Sequence, residues 1–155
     1  MESPQNHIWG PALWMILHSS AERIGFVVLH KLPEEEKRIW IGLLNSLCMS
    51  IPCPSCKMHY NLYMSKNPIY SFTRESIRQW LFQLHHEVNI RLKRAHDVTV
   101  EQVSEYYSRD FHFGHCYKVI ESQMVLSLRL RWTKREDIQK TCRLLHEMQR
   151  FYSFV

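Results

Sequence analysis

Apolar residues recur every three or four positions in several long stretches of the chain, a spacing that places them on one face of an α-helix. The pattern is clearest from about Thr73 to Arg94. The positions that share one face there are Ile77, Trp80, Leu81, Leu84, His85, Val88 and Leu92. Alternating apolar and polar positions, which would indicate β-strands, are few, and glycine occurs only four times. The pattern therefore predicts an all-α protein.

Local signals place the ends of the other predicted helices. Pro33 is followed by three glutamates, and it predicts a helix start because proline fits the first turn and acidic side chains favour the N-terminal end of the helix dipole. We expect that helix to end near Ser50. Thr99 and Thr133 each precede a Gln or Glu by three positions, which predicts two capping boxes. The other predicted features are a first helix from about Trp9, a helix that opens at the CxxC motif and ends near Ser65, a loop over 111–115 and a helix over 116–130.

The chain of 155 residues fits one domain with an extension. We expect a four-helix bundle over residues 1–96 and a helical C-terminal extension over residues 97–155 that packs on it. No run of about 18 apolar residues is present, so we expect no membrane span. The first residues lack the positive charge of a signal peptide, and we therefore expect a cytoplasmic protein.

The net charge of +5 permits an acidic partner but does not identify one. Basic residues are crowded between Arg129 and Arg150, yet no recognised nucleic-acid-binding motif accompanies them. We interpret them as a solvated helix face, and we expect no nucleic-acid partner.

Two of the five cysteines form the CxxC motif Cys53-Pro-Ser-Cys56. Pro52 and Pro54 place the pair at the first turn of a predicted helix, where the helix dipole stabilises a thiolate. In a reducing compartment such a pair is more often catalytic or metal-binding than structural.

Three other interpretations of the CxxC motif stay open. A glutaredoxin-like site would need a βαβ context, which the helical flanks do not supply. A zinc site would need further ligands, for which the candidates are His59, His112, His115 and Cys116. In the third interpretation the chain is a non-catalytic helical interaction module whose cysteines only pack.

Two histidines, His18 and His85, fall on otherwise apolar helix faces, near Trp14 and Asn89. A single such histidine is usually a core residue with its hydrogen bonds satisfied. Two of them beside a CxxC motif suggest a flat, polar group held between helices, because bundle interiors are common cofactor sites and a buried Asn needs hydrogen-bond partners.

Three motifs follow one another along the chain: Trp14-Met-Ile-Leu-His18, Ile51-Pro-Cys-Pro-Ser-Cys56 and the segment Trp80–Lys93. Together they resemble the Erv/ALR family of FAD-linked sulfhydryl oxidases, whose pattern is WxxLH, a proline-preceded CxxC and HNxVNxxL. The resemblance covers roughly residues 9–95, and the joint match is far more specific than any one motif. It is strongest to the compact members encoded by large DNA viruses, including iridovirus-like ones.

The resemblance implies a role for each matching residue. Cys56 would be the thiol nearer the flavin, and Cys53 would be the outer thiol that incoming thiolates attack. The cofactor-binding positions would be Gly10, Trp14, His18, Tyr60, His85, Val88, Asn89, Leu92 and Lys93.

The resemblance also implies an activity. The chain would be an FAD-dependent thiol oxidase that forms disulfide bonds in proteins and passes the electrons to dioxygen, giving hydrogen peroxide. Its substrates would be protein thiols or a redox carrier protein, and it would serve disulfide formation in virion proteins. The family further implies a homodimer built on the first two helices, with exposed apolar residues there.

The chain departs from the family pattern at several positions. His86 stands where the family usually has Asn, and cysteines for a second, structural disulfide are absent near Phe82 and Asp97. No second CxxC pair is present to act as a shuttle. Cys116, beside His115 at the end of the predicted loop, is the candidate for a single shuttle thiol, because a neighbouring His⁺ would lower its pKa. We expect the two remaining cysteines, Cys48 and Cys142, to be buried as small apolar residues.

Overall fold

The structure is a computed structural model that describes residues 2–26 and 31–155. Within these ranges the regular elements are all α-helices, which confirms the prediction of an all-α protein. The helices are α1 (Asn6–Ala21), α2 (Pro33–Ser50), α3 (Pro54–Lys66), α4 (Arg74–Arg91), α5 (Val100–Tyr107), α6 (Phe113–Arg129) and α7 (Arg135–Tyr152). None of these helices is both long enough and apolar enough to cross a lipid bilayer.

Side-chain caps explain where several helices begin. Thr73 caps α4 and Thr99 caps α5, each by accepting the backbone N–H three residues later, so the predicted box at Thr99 is confirmed. The box predicted at Thr133 is wrong. The hydroxyl of Thr133 is buried 2.6 Å from the hydroxyl of Ser127, and α7 follows Lys134 without a side-chain cap.

The start of α6 also differs from the prediction. The ring of His112 caps this helix by accepting the N–H of His115 at 3.0 Å. The helix therefore begins at Phe113, and the predicted loop over 111–115 is wrong beyond residue 112. Cys116 consequently lies inside a helix and not in a loop.

Helices α1 and α4 pack together, as do α2 and α3, and α5 packs on both α1 and α4. The buried carboxylate of Glu22, at the end of α1, joins these parts. It accepts two hydrogen bonds from Arg78 of α4, at 2.9 and 2.7 Å, and one from Ser104 of α5 at 2.6 Å. A buried carboxylate with three charge-assisted or hydroxyl donors holds α5 firmly against the bundle.

The last two helices cover the first two: α6 packs along α1, and α7 packs along α2. Trp40 and Leu44 of α2 are completely buried, and the indole N–H of Trp40 donates to the hydroxyl of Tyr152 in α7 at 2.9 Å. Gly42 lies so close to α7 that an added Cβ would sit 3.2 Å from Leu144. Helices α6 and α7 therefore bury most of the apolar faces of α1 and α2, although Ile8 and Met49 stay exposed. The homodimer expected on these two helices stays a prediction.

Candidate functional site

The two sulfurs of the CxxC motif lie at the N-terminus of α3. Cys53 is the residue that precedes the helix, Pro54 occupies its first position, and Cys56 lies in its first turn. The backbone N–H of Cys56 donates to Cys53 Sγ at 3.5 Å. Cys53 is partly exposed, whereas only 9% of Cys56 is accessible. The pair therefore has a more exposed sulfur at Cys53 and a more buried one at Cys56, and the roles that the resemblance implies for them stay predictions.

The two thiols differ in acidity as well as in exposure. Burial opposes ionisation of Cys53, but hydrogen bonds from Ser55 and Cys56 outweigh it and hold the pKa of Cys53 below its usual value. Burial and the hydrogen bond with Cys53 raise the pKa of Cys56, and the charge of Arg91 only partly offsets this. When both cysteines are reduced, Cys53 therefore has the more acidic and the more accessible thiol.

Two polar side chains from outside α3 reach the inner sulfur. Asn6 Nδ2, at the start of α1, lies 3.4 Å from Cys56 Sγ, and Arg91 Nη2, at the end of α4, lies 3.5 Å from it. Both groups are donors, and one of them carries a positive charge. They therefore favour Cys56 as a thiolate whenever it loses its proton or its disulfide partner.

Cys56 Sγ faces a largely apolar cleft between the helices of the bundle. Helix α1 contributes Trp9, Gly10 and Trp14, α3 contributes Cys56 and Tyr60, and α4 with the segment after it contributes Val88, Arg91, Leu92 and Arg94. A Cβ added at Gly10 would meet no atom within 4 Å, so the backbone there borders open space. The Tyr60 hydroxyl donates to the Leu44 carbonyl oxygen at 2.6 Å, which fixes the ring as part of the wall.

Four aromatic rings, in two stacked pairs, border this cleft and a second one. The rings of Trp14 and His85 are parallel with centroids 4.0 Å apart, and those of His18 and Tyr107 are stacked at 4.5 Å. His18 Nε2 and His85 Nδ1 are 3.0 Å apart, so one ring donates its N–H to the other. The second cleft is lined by His18, His85, His86, Asn89, His96 and Tyr107, among others.

Both stacked histidines are neutral at pH 7. Burial and the neighbouring His85 lower the pKa of His18 to about 3. Burial and the charge of Arg94 lower the pKa of His85 to about 4. The pair therefore presents neutral, planar rings with one donor and one acceptor edge, which suits a neutral heterocycle better than an anion.

The described residues do not form a set of metal ligands. Across residues 2–26 and 31–155, no three His, Cys, Asp or Glu side chains come together in a group that could hold a metal ion. The zinc alternative would need at least one ligand beyond Cys53 and Cys56 at the same place.

The three remaining cysteines are partly buried thiols. Cys48 Sγ lies 3.5 Å from the sulfur of Met64, and burial raises the pKa of both Cys48 and Cys142. Burial also raises the pKa of Cys116, which corrects the expectation that His115 would lower it. The role of Cys116 as a shuttle stays a prediction, and it would begin from a less reactive thiol than the sequence suggested.

The chain is similar to a known protein family and to several viral proteins. The model of the Erv1/Alr family matches residues 11–108. The chain belongs to the Erv1/Alr family. A protein of Frog virus 3 (isolate Goorha) is named as a predicted FAD-linked sulfhydryl oxidase. It is 32% identical to this chain over 111 residues, which are 68% of this chain and 70% of that protein. FAD-linked sulfhydryl oxidases of African swine fever virus, from Kenyan pig and Namibian warthog isolates, are each 29% identical over 114 residues, or 66% of this chain and 92% of theirs. No solved structure matches the chain at a significant level.

The Erv1/Alr match reaches beyond the predicted domain boundary at residue 96 and includes α5. That boundary stays a prediction, but Tyr107 of α5 stacks on His18 and so belongs to the wall of the site. The extension outside the matched residues then consists mainly of α6 and α7.

The structure groups most of the predicted cofactor-binding residues of this Erv1/Alr member around the two clefts. Gly10, Trp14, Tyr60, Val88 and Leu92 line the first cleft, and His18, His85 and Asn89 line the second. Lys93 is exposed at the end of α4, with a φ of 56°, and it is Arg91 and Arg94 that line the first cleft. The role predicted for Lys93 in cofactor binding stays a prediction, and the lining of the first cleft favours Arg91 for that role.

Sequence reasoning missed three site residues: Asn6, Arg91 and Tyr107. Asn6 lies before the predicted start of the first helix, and Tyr107 lies beyond the predicted domain boundary. Arg91 is not among the positions that share the apolar face of its helix. A signal for Arg91 was nevertheless present, because it comes two residues after Asn89 within the family motif.

Proposed function

We propose that this Erv1/Alr member is an FAD-dependent thiol oxidase that forms disulfide bonds in proteins and reduces dioxygen to hydrogen peroxide. The observation that carries the proposal is the asymmetric CxxC pair, with Cys53 open to a partner and Cys56 facing the apolar cleft. The names of the viral relatives support the same activity.

The residues around the clefts fit FAD. The open space beside Gly10 and the apolar walls of the first cleft suit a flat aromatic system, and the neutral His18–His85 pair suits an uncharged heterocycle. Arg91 adds positive charge to the lining of the first cleft, which suits an anionic cofactor. When bound there, FAD supplies a two-electron acceptor that dioxygen can reoxidise.

The chain's own contribution is thiol–disulfide exchange. A substrate thiolate attacks Cys53 Sγ of the Cys53–Cys56 disulfide, which forms a mixed disulfide and releases Cys56 as a thiolate. A second substrate thiolate then attacks the substrate sulfur of the mixed disulfide and releases Cys53. The substrate loses two electrons and two protons, and the CxxC pair gains the electrons. Asn6 and Arg91 stabilise the Cys56 thiolate formed in the first step.

The FAD assignment predicts a yellow protein with about one flavin per chain by absorbance. Gly10→Leu should lower the bound flavin at least about tenfold, because its side chain would fill the open part of the cleft. Tyr70→Ala, at an exposed ring outside both clefts, is the matched control and should retain the flavin. A colourless protein that retains one zinc ion per chain would favour the non-catalytic module instead.

The homodimer that the resemblance implies would use a surface of α1 and α2 that α6 and α7 of this chain largely cover. Since α6 and α7 bury α1 and α2, we expect a monomer, with a mass of 18.8 kDa by light scattering after size-exclusion chromatography. The mass should not change over a hundredfold range of protein concentration. A mass of two chains at every concentration would show that another surface supports the dimer.

The substrates we propose are protein thiols, either in the final target or in a redox carrier. The named relatives are sulfhydryl oxidases of viruses. For this chain we propose disulfide formation in virion proteins, at a cytoplasmic assembly site where the secretory pathway does not act. Dioxygen is the proposed terminal acceptor.

A further inference from the structure

A groove on the surface runs beside the outer thiol, Cys53. It is lined by the N-terminal segment from Ser3 to His7, by the CxxC turn from Cys53 to Ser55, by Arg94 and by Trp132. Trp132 belongs to the turn between α6 and α7, in the C-terminal extension. The extension therefore contributes a wall to the surface that a substrate must approach.

The α6–α7 turn is fastened to the helix that bears the thiols. Lys57 Nζ, one residue after Cys56, donates to the Trp132 carbonyl oxygen at 2.9 Å. The Trp132 N–H donates to the Ser127 carbonyl oxygen at 2.9 Å, and Arg131 has a φ of 62°. These contacts place the backbone of Trp132 beside the helix that bears the thiols, and the residue lines the groove.

Trp132 is 39% exposed, so its indole ring does not fill the core. An exposed tryptophan held in place beside a reactive group is typical of a binding surface, where a large rigid ring contributes contact area at a low entropic cost. The exposed part of the indole ring can pack against another molecule only when that molecule lies in the groove.

The charged and titratable side chains that line the groove are Arg94, His7 and the thiol of Cys53. No acidic residue is among the lining residues of the described chain. Such a lining attracts an acidic segment and disfavours a basic one.

We propose that this groove binds an extended segment of a substrate protein in which the reactive cysteine lies beside an aromatic residue and an acidic residue. The aromatic ring packs on Trp132 and the acidic side chain approaches Arg94, while the cysteine sulfur meets Cys53 Sγ. This inference rests on the proposed thiol oxidase function and specifies its substrate class.

The test compares dioxygen consumption by the FAD-loaded protein with three dithiol substrates. The first is a peptide in which two cysteines are flanked by Trp and Asp, the second has Gly and Lys at those positions, and the third is dithiothreitol. We expect kcat/KM for the Trp/Asp peptide to exceed that for the Gly/Lys peptide about tenfold. The preference should shrink as salt is raised, because exposed charges are screened.

Variants of Trp132 separate binding at the groove from a structural effect. Trp132→Ala should lower kcat/KM for the Trp/Asp peptide about tenfold relative to that for dithiothreitol, and Trp132→Phe should restore most of the ratio. The matched control is Tyr70→Ala, which removes an exposed ring outside this groove and should preserve the peptide preference.

Each outcome either supports or overturns the inference. Equal rates for the two peptides, or a Trp132→Ala variant that loses rate equally on every substrate, would overturn it. A rate per enzyme that falls as enzyme concentration rises would show that a second copy of the chain occupies the groove, which also overturns it. If dithiothreitol itself drives no dioxygen consumption, the proposed oxidase function fails, and that failure is distinct from the failure of the groove.

Discussion

Replacing either Cys53 or Cys56 by serine should abolish dioxygen consumption driven by a dithiol, with a loss of at least about a thousandfold. Each serine leaves a single sulfur at the N-terminus of α3, and one sulfur can neither form the disulfide that a substrate attacks nor take up two electrons. Because the two sulfurs act as one unit, the double variant should be no slower than either single variant. The measurement is dioxygen uptake at an electrode with dithiothreitol as substrate.

The single variants should nevertheless keep the cofactor. Cys53 lies outside the first cleft, and Cys56 contributes only part of its wall, so both serine variants should retain flavin absorbance. Cys142→Ser is the matched control, since it removes a partly buried thiol of α7 and should leave the rate within about twofold. A variant of either CxxC cysteine that keeps more than a tenth of the rate would show that another pair of thiols performs the exchange.

The core of the site could be predicted from the sequence because its residues lie within single helices. Trp14 and His18 are one turn apart on α1, and His85 and Asn89 are one turn apart on α4, so helical periodicity alone places each pair on one face. The CxxC pair is similarly local. For residues that lie within one helix, their spacing and the order of the motifs are enough to predict most of their relative positions.

Contacts between helices could not be predicted in this way. The periodicity of α2 shows that Trp40 and Leu44 face an apolar surface, but it does not say whether that surface belongs to a partner or to α7. The buried Thr133–Ser127 pair likewise depends on how the α6–α7 turn closes, and a four-residue capping pattern holds no information about that closure. The long-range contacts of Asn6 with Cys56 and of Tyr107 with His18 were missed for the same reason.

Lowering the pH from 7.5 to 5 should reduce the free energy of unfolding of the FAD-free protein by roughly 4 kcal/mol. The pKa of His18 is about 3 and that of His85 about 4 in the folded chain, against 6.5 for an unperturbed histidine. Both groups therefore stay neutral in the folded chain across this window, whereas the unfolded chain protonates them as the pH falls below about 6.5. Stability is fully present above pH 6.5 and is lost as the pH falls toward the folded values, by about 2 kcal/mol for each histidine at pH 5.

The loss is large because typical domains are stable by only about 5–15 kcal/mol. His59, whose pKa burial also lowers, acts in the same direction. The measurement is urea unfolding followed by circular dichroism at pH 7.5, 6.5, 5.5 and 5.0, and the readout is the slope of the unfolding free energy against pH. His18→Gln or His85→Gln should each reduce that slope by about one proton, or about 1.4 kcal/mol per pH unit.

His86→Gln is the matched control for these two variants. The His86 ring lies on the same helix as the ring of His85. It packs beside Phe82 and His96, outside the hydrogen-bonded pair of His18 and His85. The variant should keep the slope of the parent protein, even if its stability at neutral pH changes. If His18→Gln and His86→Gln alter the slope equally, the acid sensitivity comes from general surface charge, and the buried neutral pair of His18 and His85 does not control it.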